Sequence, residues 1–268
     1  MTKEKVYSKE HLLFIKKNKR HTLFIWTMRF AILILTLGLW EVLARLEIID
    51  SFITSSPSRI YITICSLFNE NNLVYHIGIT LYETVLGFLI ASGVGYIIAL
   101  ILWWSETLRK ILEPYVVVLN SLPKIALGPI IIVWCGSGSK AIIFMATLIG
   151  IIVAIITMLN GFLETDNNKI LLLKSMGANK IKILSKLVIP GSLPTFISML
   201  KISVGLAWVG SIMGEYLVSR AGLGYLIVYG GQVFKLDLVM SATIVLCILA
   251  TLMYSVVSLI EKIAIKHR

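Results

Sequence analysis

The chain holds 268 residues, 57% of them apolar and 15% charged, whereas soluble domains run at about 45–50% apolar and about 25% charged. The apolar residues also cluster in long runs, which excludes a soluble domain and defines an all-α polytopic membrane protein. A formal charge of +11 does not point to a nucleic-acid partner, because Lys and Arg of a membrane protein concentrate on its cytoplasmic loops.

Residues 1–22 form a polar tail carrying Lys3, Lys5, Lys9, Lys16, Lys17, Lys19 and Arg20. The apolar stretch 23–46 is too long for a cleaved signal segment and lacks an A-x-A site, so it reads as an uncleaved first span. Arg29 and Arg45 lie toward its ends, where long side chains snorkel. A polar loop over 47–75 contains Pro57-Ser58-Arg59 and then IYITICSLF, a candidate surface helix. The second span, 76–104, closes on Trp103 and Trp104, which suit an interface. A third, 114–135, is interrupted by Pro123 and Pro129. Each proline removes an N–H and frees a carbonyl, which kinks a span or leaves groups facing a cavity. The fourth span, 140–159, follows a Gly136-Ser137-Gly138 turn. The fifth and sixth cover 196–218 and 236–260, joined by a Gly- and Tyr-containing loop over 219–235. One membrane domain, 23–260, thus lies between the tail and a short basic C-terminal segment, 261–268.

Between the fourth and fifth spans a polar loop, 163–194, includes DNNKILLLKSMGANKIKILSKLVIPGSLP. Asp166 or Asn167 suits an N-cap. A short helix over 169–176 ends at Gly177, placed where a left-handed residue closes a helix. Asn179 caps a second helix that runs to Ile189 and stops before Pro190. Ile181, Ile183, Leu184, Leu187 and Val188 gather on one side of it, opposite Lys182 and Lys186, as in a helix docked at a surface.

Six spans place both termini on one side. The loops on that side carry seventeen Lys and Arg, those opposite only Arg59, Lys140, Arg220 and Lys235. The asymmetry puts both termini and the 163–194 loop in the cytoplasm.

Three stretches, SLPKIALGPIIIVWCGSGSK, KSMGANKIKILSKLVIPGSLP and GLAWVGSIMGEYLVSRAGLGYLI, resemble the permease subunits of bacterial ABC importers, within the nitrate, sulfonate and taurine branch. The resemblance runs from about Pro57 to the C-terminus. It implies that the loop is the "EAA" coupling loop, contacting the ATPase through Leu171, Leu172, Leu173, Lys174, Met176, Gly177, Ala178, Lys180, Leu187 and Pro190. The naming Glu-Ala-Ala would fall on Leu171-Leu172-Leu173, so its acidic anchor is replaced by apolar surface, with Lys174 and Lys180 expected at the rim. The resemblance further implies a multi-pass protein of the bacterial inner membrane, two ATPase subunits, an extracytoplasmic binding protein and a homodimer of this chain in the lipid bilayer. No cofactor is expected in the chain itself, because ATP would be bound by a separate subunit. The implied solute is a sulfonate, taurine or nitrate-like anion; a thiamine-pyrimidine precursor is the alternative, and a secondary transporter without an ATPase, or a membrane sensor or scaffold, stays open from the residues.

The second span carries Gly87, Ala91, Gly95 and Ala99, and the fifth Gly205, Gly210 and Gly214. Such stripes let backbones approach closely, within a subunit or between two. Among ionisable residues inside spans, Glu83 and Lys201 sit near span ends and read as interfacial. Lys124 and Glu215, with Pro123 and Pro129, are candidates for a translocation path. Walker A, HExxH and GxSxG patterns are absent, and Cys65, Cys135 and Cys247 have no metal-ligand spacing, so the chain is not expected to be an enzyme or to hold a metal.

Overall fold

The computed structural model describes residues 9–69 and 72–266, and the regular elements among them are all helical. They fall into two compact units, one reaching to Thr63 and the other starting at Ile64.

In the first unit, α1 (Lys9–Arg45) is followed by α2 (Ser51–Thr54) and by the start of α3 (Pro57–Asn69). Helix α1 begins inside the stretch read as a polar tail, and from Lys16 onward it is long and apolar enough to cross a membrane. Glu41 accepts from Arg45 Nε at 2.7 Å and from the Ser58 N–H in the first turn of α3 at 3.0 Å. A carboxylate at a helix N-terminus is the favourable sign for the helix dipole.

The second unit opens with α4 (Asn72–Trp104) and α5 (Glu106–Ser121), continues through a 3-10 turn (Lys124–Leu127) to α6 (Gly128–Cys135), and then α7 (Ser139–Leu163). The loop between spans holds α8 (Asn167–Ser175), α9 (Lys180–Ile183), a π turn (Leu184–Val188) and α10 (Ile189–Gly191). Helices α11 (Leu193–Val218), α12 (Leu223–Gln232) and α13 (Leu236–Lys266) complete it. With α1, helices α4, α7, α11 and α13 give five spans, and the α5–α6 pair, bent by 86°, is a broken sixth or a re-entrant segment.

Helix α7 is the axis of this unit, packed along both α4 and α11. Its neighbours meet it through small residues. A Cβ on Gly95 would stand 2.6 Å from Ala154 Cβ, one on Gly150 3.1 Å from Ala91 Cβ, and one on Gly210 2.5 Å from Ala146 Cα. Gly95 and Gly210 of the two stripes are therefore used inside the chain and are not evidence for an interface between copies, while Gly205 meets no atom within 4 Å of its Cβ position.

Three sequence expectations change. Pro129 does not kink a span; it lies in the first turn of α6, where its missing N–H has no intrahelical partner to lose. The break comes at Pro123, with Leu122 held extended (φ −66°, ψ 137°) as a residue before proline requires. The second loop helix does not stop before Pro190. Its Ile189 N–H reaches back five residues to the Leu184 carbonyl, and this wider π turn makes room for the proline ring that an α-turn would drive into a carbonyl. Finally, the 219–235 loop contains α12, because burial of Leu223, Leu226 and Gly230 outweighs the poor helix propensity of its glycines.

Candidate functional site

The 163–194 loop forms a platform of short helices, and each of its turns has a chemical cause. Asp166 caps α8 by accepting from the Asn168 N–H at 2.8 Å. The helix ends on Gly177 at φ +78°, with the Gly177 N–H bonding the Lys174 carbonyl and the Ala178 N–H the Leu173 carbonyl, both at 2.9 Å. That pair of bonds is a Schellman closure. Asn179 then caps α9 by accepting from the Lys182 N–H at 2.9 Å.

Burial sorts the loop into two faces. Ile183 and Val188 are buried, and Ile170, Leu173, Ala178, Leu184 and Leu187 pack against the same core as Leu102 of α4 and Phe162 of α7. Leu171, Leu172, Met176 and Ile181 are 66%, 60%, 74% and 62% exposed. Leu172 and Met176, one turn apart, share a helix face. Leu173, Ala178 and Leu187, expected as contact surface, are half-buried and pack against the core beneath the loop. Ile181, expected inward, faces out. Lys180, expected at the rim, is exposed and also tied to α4. Its ammonium donates to the Trp104 carbonyl at 2.5 Å and lies 5.1 Å and 5.8 Å from the Trp104 and Trp103 rings. A cation is favoured at the carbonyl end of a helix and over an indole face, so Lys180 clamps the platform to the end of α4. Lys174 and Pro190 remain exposed.

A buried polar cluster lies at the other end of α4. His76, Thr80, Glu83 and Thr84 recur at helical spacing on one face of α4, and Ser211 and Glu215 on α11. The first N–H groups of α12 are satisfied from these two helices. Gly222 donates to His76 Nδ1 at 2.8 Å, Leu223 to Thr80 Oγ1 at 2.8 Å, and Gly224 to Glu215 Oε2 at 2.5 Å. Thr84 and Ser211 share a hydroxyl hydrogen bond of 2.6 Å. Side chains from two spans thus act as the N-cap of a third helix. Glycine is required at 222 and 224, because a Cβ at either would strike the Glu215 carboxyl.

The path residues inferred from sequence are not assembled into one site. Lys124 Nζ donates to the Asn120 carbonyl of its own segment at 3.1 Å, while Glu215 is committed to α12. Glu83 is not interfacial; it is 1% exposed, beside Glu215 and the Ser139 hydroxyl at the start of α7. Nor is Lys201 free at an interface, because it pairs with Glu261 of α13 at 2.5 Å. The polar i, i+4, i+8 spacing of His76, Thr80 and Thr84 inside an apolar span was the signal that could have located this cluster.

A bundle of long apolar helices around α7, with an apolar-faced platform at one end and a buried polar cluster at the other, defines a multi-span membrane protein. The chain belongs to the family of binding-protein-dependent transport system inner membrane components, whose model matches residues 91–266. It is 26% identical over 232 residues to a putative aliphatic sulfonates transport permease of Bacillus subtilis, covering 87% of this chain and 84% of that one. It is 24% identical to the taurine transport system permease of Escherichia coli over 85% of this chain and 84% of the relative. Among solved structures, an inward-facing form of the MetNI methionine ABC transporter matches with TM-score 0.65 at 21% identity, over 72% of this chain and 96% of that one; this likeness shows the fold. The protein is therefore a multi-pass inner-membrane permease subunit of an ABC importer, not an enzyme, and it works with ATPase subunits and a binding protein.

Proposed function

We propose that this permease imports a sulfonate, that two copies form the path, and that the α8–α9 platform faces the cytoplasm and takes the thrust of the ATPase. The observation that carries the reading is the division of the platform into a buried face and an exposed apolar face. Force applied to Leu171, Leu172 and Met176 passes through Ile170, Leu173, Ile183 and Val188 into the core shared by α4 and α7, with Lys180 fixing the platform to α4. Closure of the ATPase pair then moves the spans as bodies, and the bundle opens toward the binding protein. The sulfonate assignment is supported by the names of the relatives, and the orientation by the seventeen-to-four split of basic residues.

Two measurements test it. In intact cells, a membrane-impermeant thiol reagent is expected to miss a cysteine introduced by Ser175→Cys, at an exposed position, and to modify it once the membrane is opened. Modification from outside would reverse the orientation. In vesicles holding the permease, its ATPase and its binding protein, uptake of ethanesulfonate or taurine is expected to require ATP and to stop with vanadate. Uptake indifferent to vanadate would instead indicate a secondary transporter.

A further inference from the structure

Only two ionisable side chains are buried among the described residues, Glu83 of α4 and Glu215 of α11, each 1% exposed. They meet at the end of α4 away from the platform. Glu83 hydrogen-bonds to the Ser139 hydroxyl at the start of α7 and to the Glu215 carboxyl. Glu215 Oε2 accepts from the Gly224 N–H of α12 at 2.5 Å. Each carboxyl also keeps one buried oxygen, Glu83 Oε2 and Glu215 Oε1, to which no N–H or hydroxyl among the described residues donates.

An ionised carboxyl has acceptors only. Two carboxylates therefore cannot hydrogen-bond to each other, and this contact forms only when one of them carries a hydrogen. The surroundings supply no substitute. Among the described residues no Lys or Arg forms an ion pair with either carboxyl. On α4, His76 uses Nδ1 to accept from the Gly222 N–H, and Tyr225 of α12 stacks on its ring. Tyr75 and Arg220 line the same polar cavity as Glu83, with Arg220 exposed there, as is Lys140 next to Ser139 on α7. Tyr216 follows Glu215 on α11. Two carboxylates in contact at this depth would repel each other uncompensated. A second proton is disfavoured as well, because the Gly224 N–H and the N-terminal end of α12 favour one negative charge at Glu215.

We propose that Glu83 and Glu215 form a binding site for a single proton, which the two carboxyls share and which pins α4, α7, α11 and α12 together at this end of the bundle. The proton belongs to the pair and not to either residue. Its loss to water leaves two like charges in contact, so α4 and α11 part there, Ser139 loses its partner and the Gly224 part of the α12 cap goes with them. Over the range in which the pair titrates, the folded chain binds one proton more than the unfolded chain, so stability falls as the pH rises through it.

The test is the infrared spectrum of the permease–ATPase complex in nanodiscs at neutral pH, where the C=O stretch of a protonated carboxyl stands apart from the carboxylate bands. The wild type is expected to show one such band, shifted in heavy water. Glu83→Gln and Glu215→Gln are each expected to abolish it, because the new amide donates the hydrogen and the remaining carboxyl ionises. Each is also expected to leave the thermal midpoint near that of the wild type, since the amide keeps the contact and its oxygen still accepts from Ser139 or Gly224. In the wild type itself, the midpoint is expected to fall over the same pH interval in which the band bleaches. A wild type without the band overturns the proposal, as does a band removed by only one substitution, which gives the proton to a single carboxyl. A midpoint raised strongly by either substitution does so too, because it reveals two carboxylates in contact. So does a midpoint that stays level while the band bleaches, which leaves the proton with no part in holding the helices.

Discussion

Leu172→Asp is expected to strip the ATPase from the purified complex and abolish uptake, while the permease itself reaches the membrane at its normal level. Leu172 is exposed in the isolated chain, so the substitution removes no internal packing. At an apolar contact it removes about 1.5–3 kcal/mol of side-chain burial and leaves a carboxylate to be desolvated. A total of about 3 kcal/mol or more weakens association by about a hundredfold. Lys174→Ala is the control. Its exposed charge contributes roughly 0–1 kcal/mol at most, and the complex is expected to survive. Leu173→Asp is expected to fail differently, with less permease in the membrane, because Leu173 packs into the core beneath the platform. Copurification of the ATPase, measured against permease abundance, separates the three. If Lys174→Ala loses the ATPase and Leu172→Asp keeps it, the contact is electrostatic and the Leu-Leu-Leu replacement of the acidic motif has been misread.

What the sequence shows plainly here is whatever depends on residues close together in the chain. The caps at Asp166 and Asn179 and the left-handed Gly177 are local devices, and they stand where their chemistry places them. The spans are long apolar runs and are equally visible. The face each residue presents was legible only in part. Leu171, Leu172 and Leu173 look alike in sequence, yet the third turns inward, which depends on where α4 and α7 lie. Lys180 reads as a free rim charge until the end of α4, 76 residues away, is brought beneath it. The burial of Glu83 is hidden from the sequence for the same reason. Its distance from the end of a span is a one-dimensional measure, whereas its burial is set by Glu215, 132 positions away in the chain, and by the first turn of α7. The π turn at Leu184–Val188 could not be read either, because Pro190 alone does not say whether a helix stops or widens to pass it.

The contacts of Ala146 with two other helices give a sharper test of the bundle than any single truncation. Gly210→Ala is expected to reduce the amount of folded permease strongly, and no change of the Ala146 side chain is expected to restore it. The added Cβ would stand 2.5 Å from Ala146 Cα and 3.1 Å from its backbone nitrogen, so α7 and α11 must separate. Gly87→Ala meets the same residue differently. There the obstacle is Ala146 Cβ at 2.5 Å, and the next atoms, the Ile143 carbonyl oxygen and Ala146 Cα, lie at 3.5 Å and 3.6 Å, which is ordinary contact. Ala146→Gly is therefore expected to rescue Gly87→Ala and not Gly210→Ala. Overpacking of this kind costs about 1–3 kcal/mol, against about 0.5–1 kcal/mol from exchanging alanine and glycine in a helix, so the rescue should be large enough to read in thermal stability. Gly205→Ala, with no atom within 4 Å of its Cβ position, is expected to be neutral or slightly stabilising. The interaction energy of each double variant measures the result. Equal rescue of both glycines would mean that α11 does not pack on the α7 backbone, and the arrangement of the bundle around α7 would have to be redrawn.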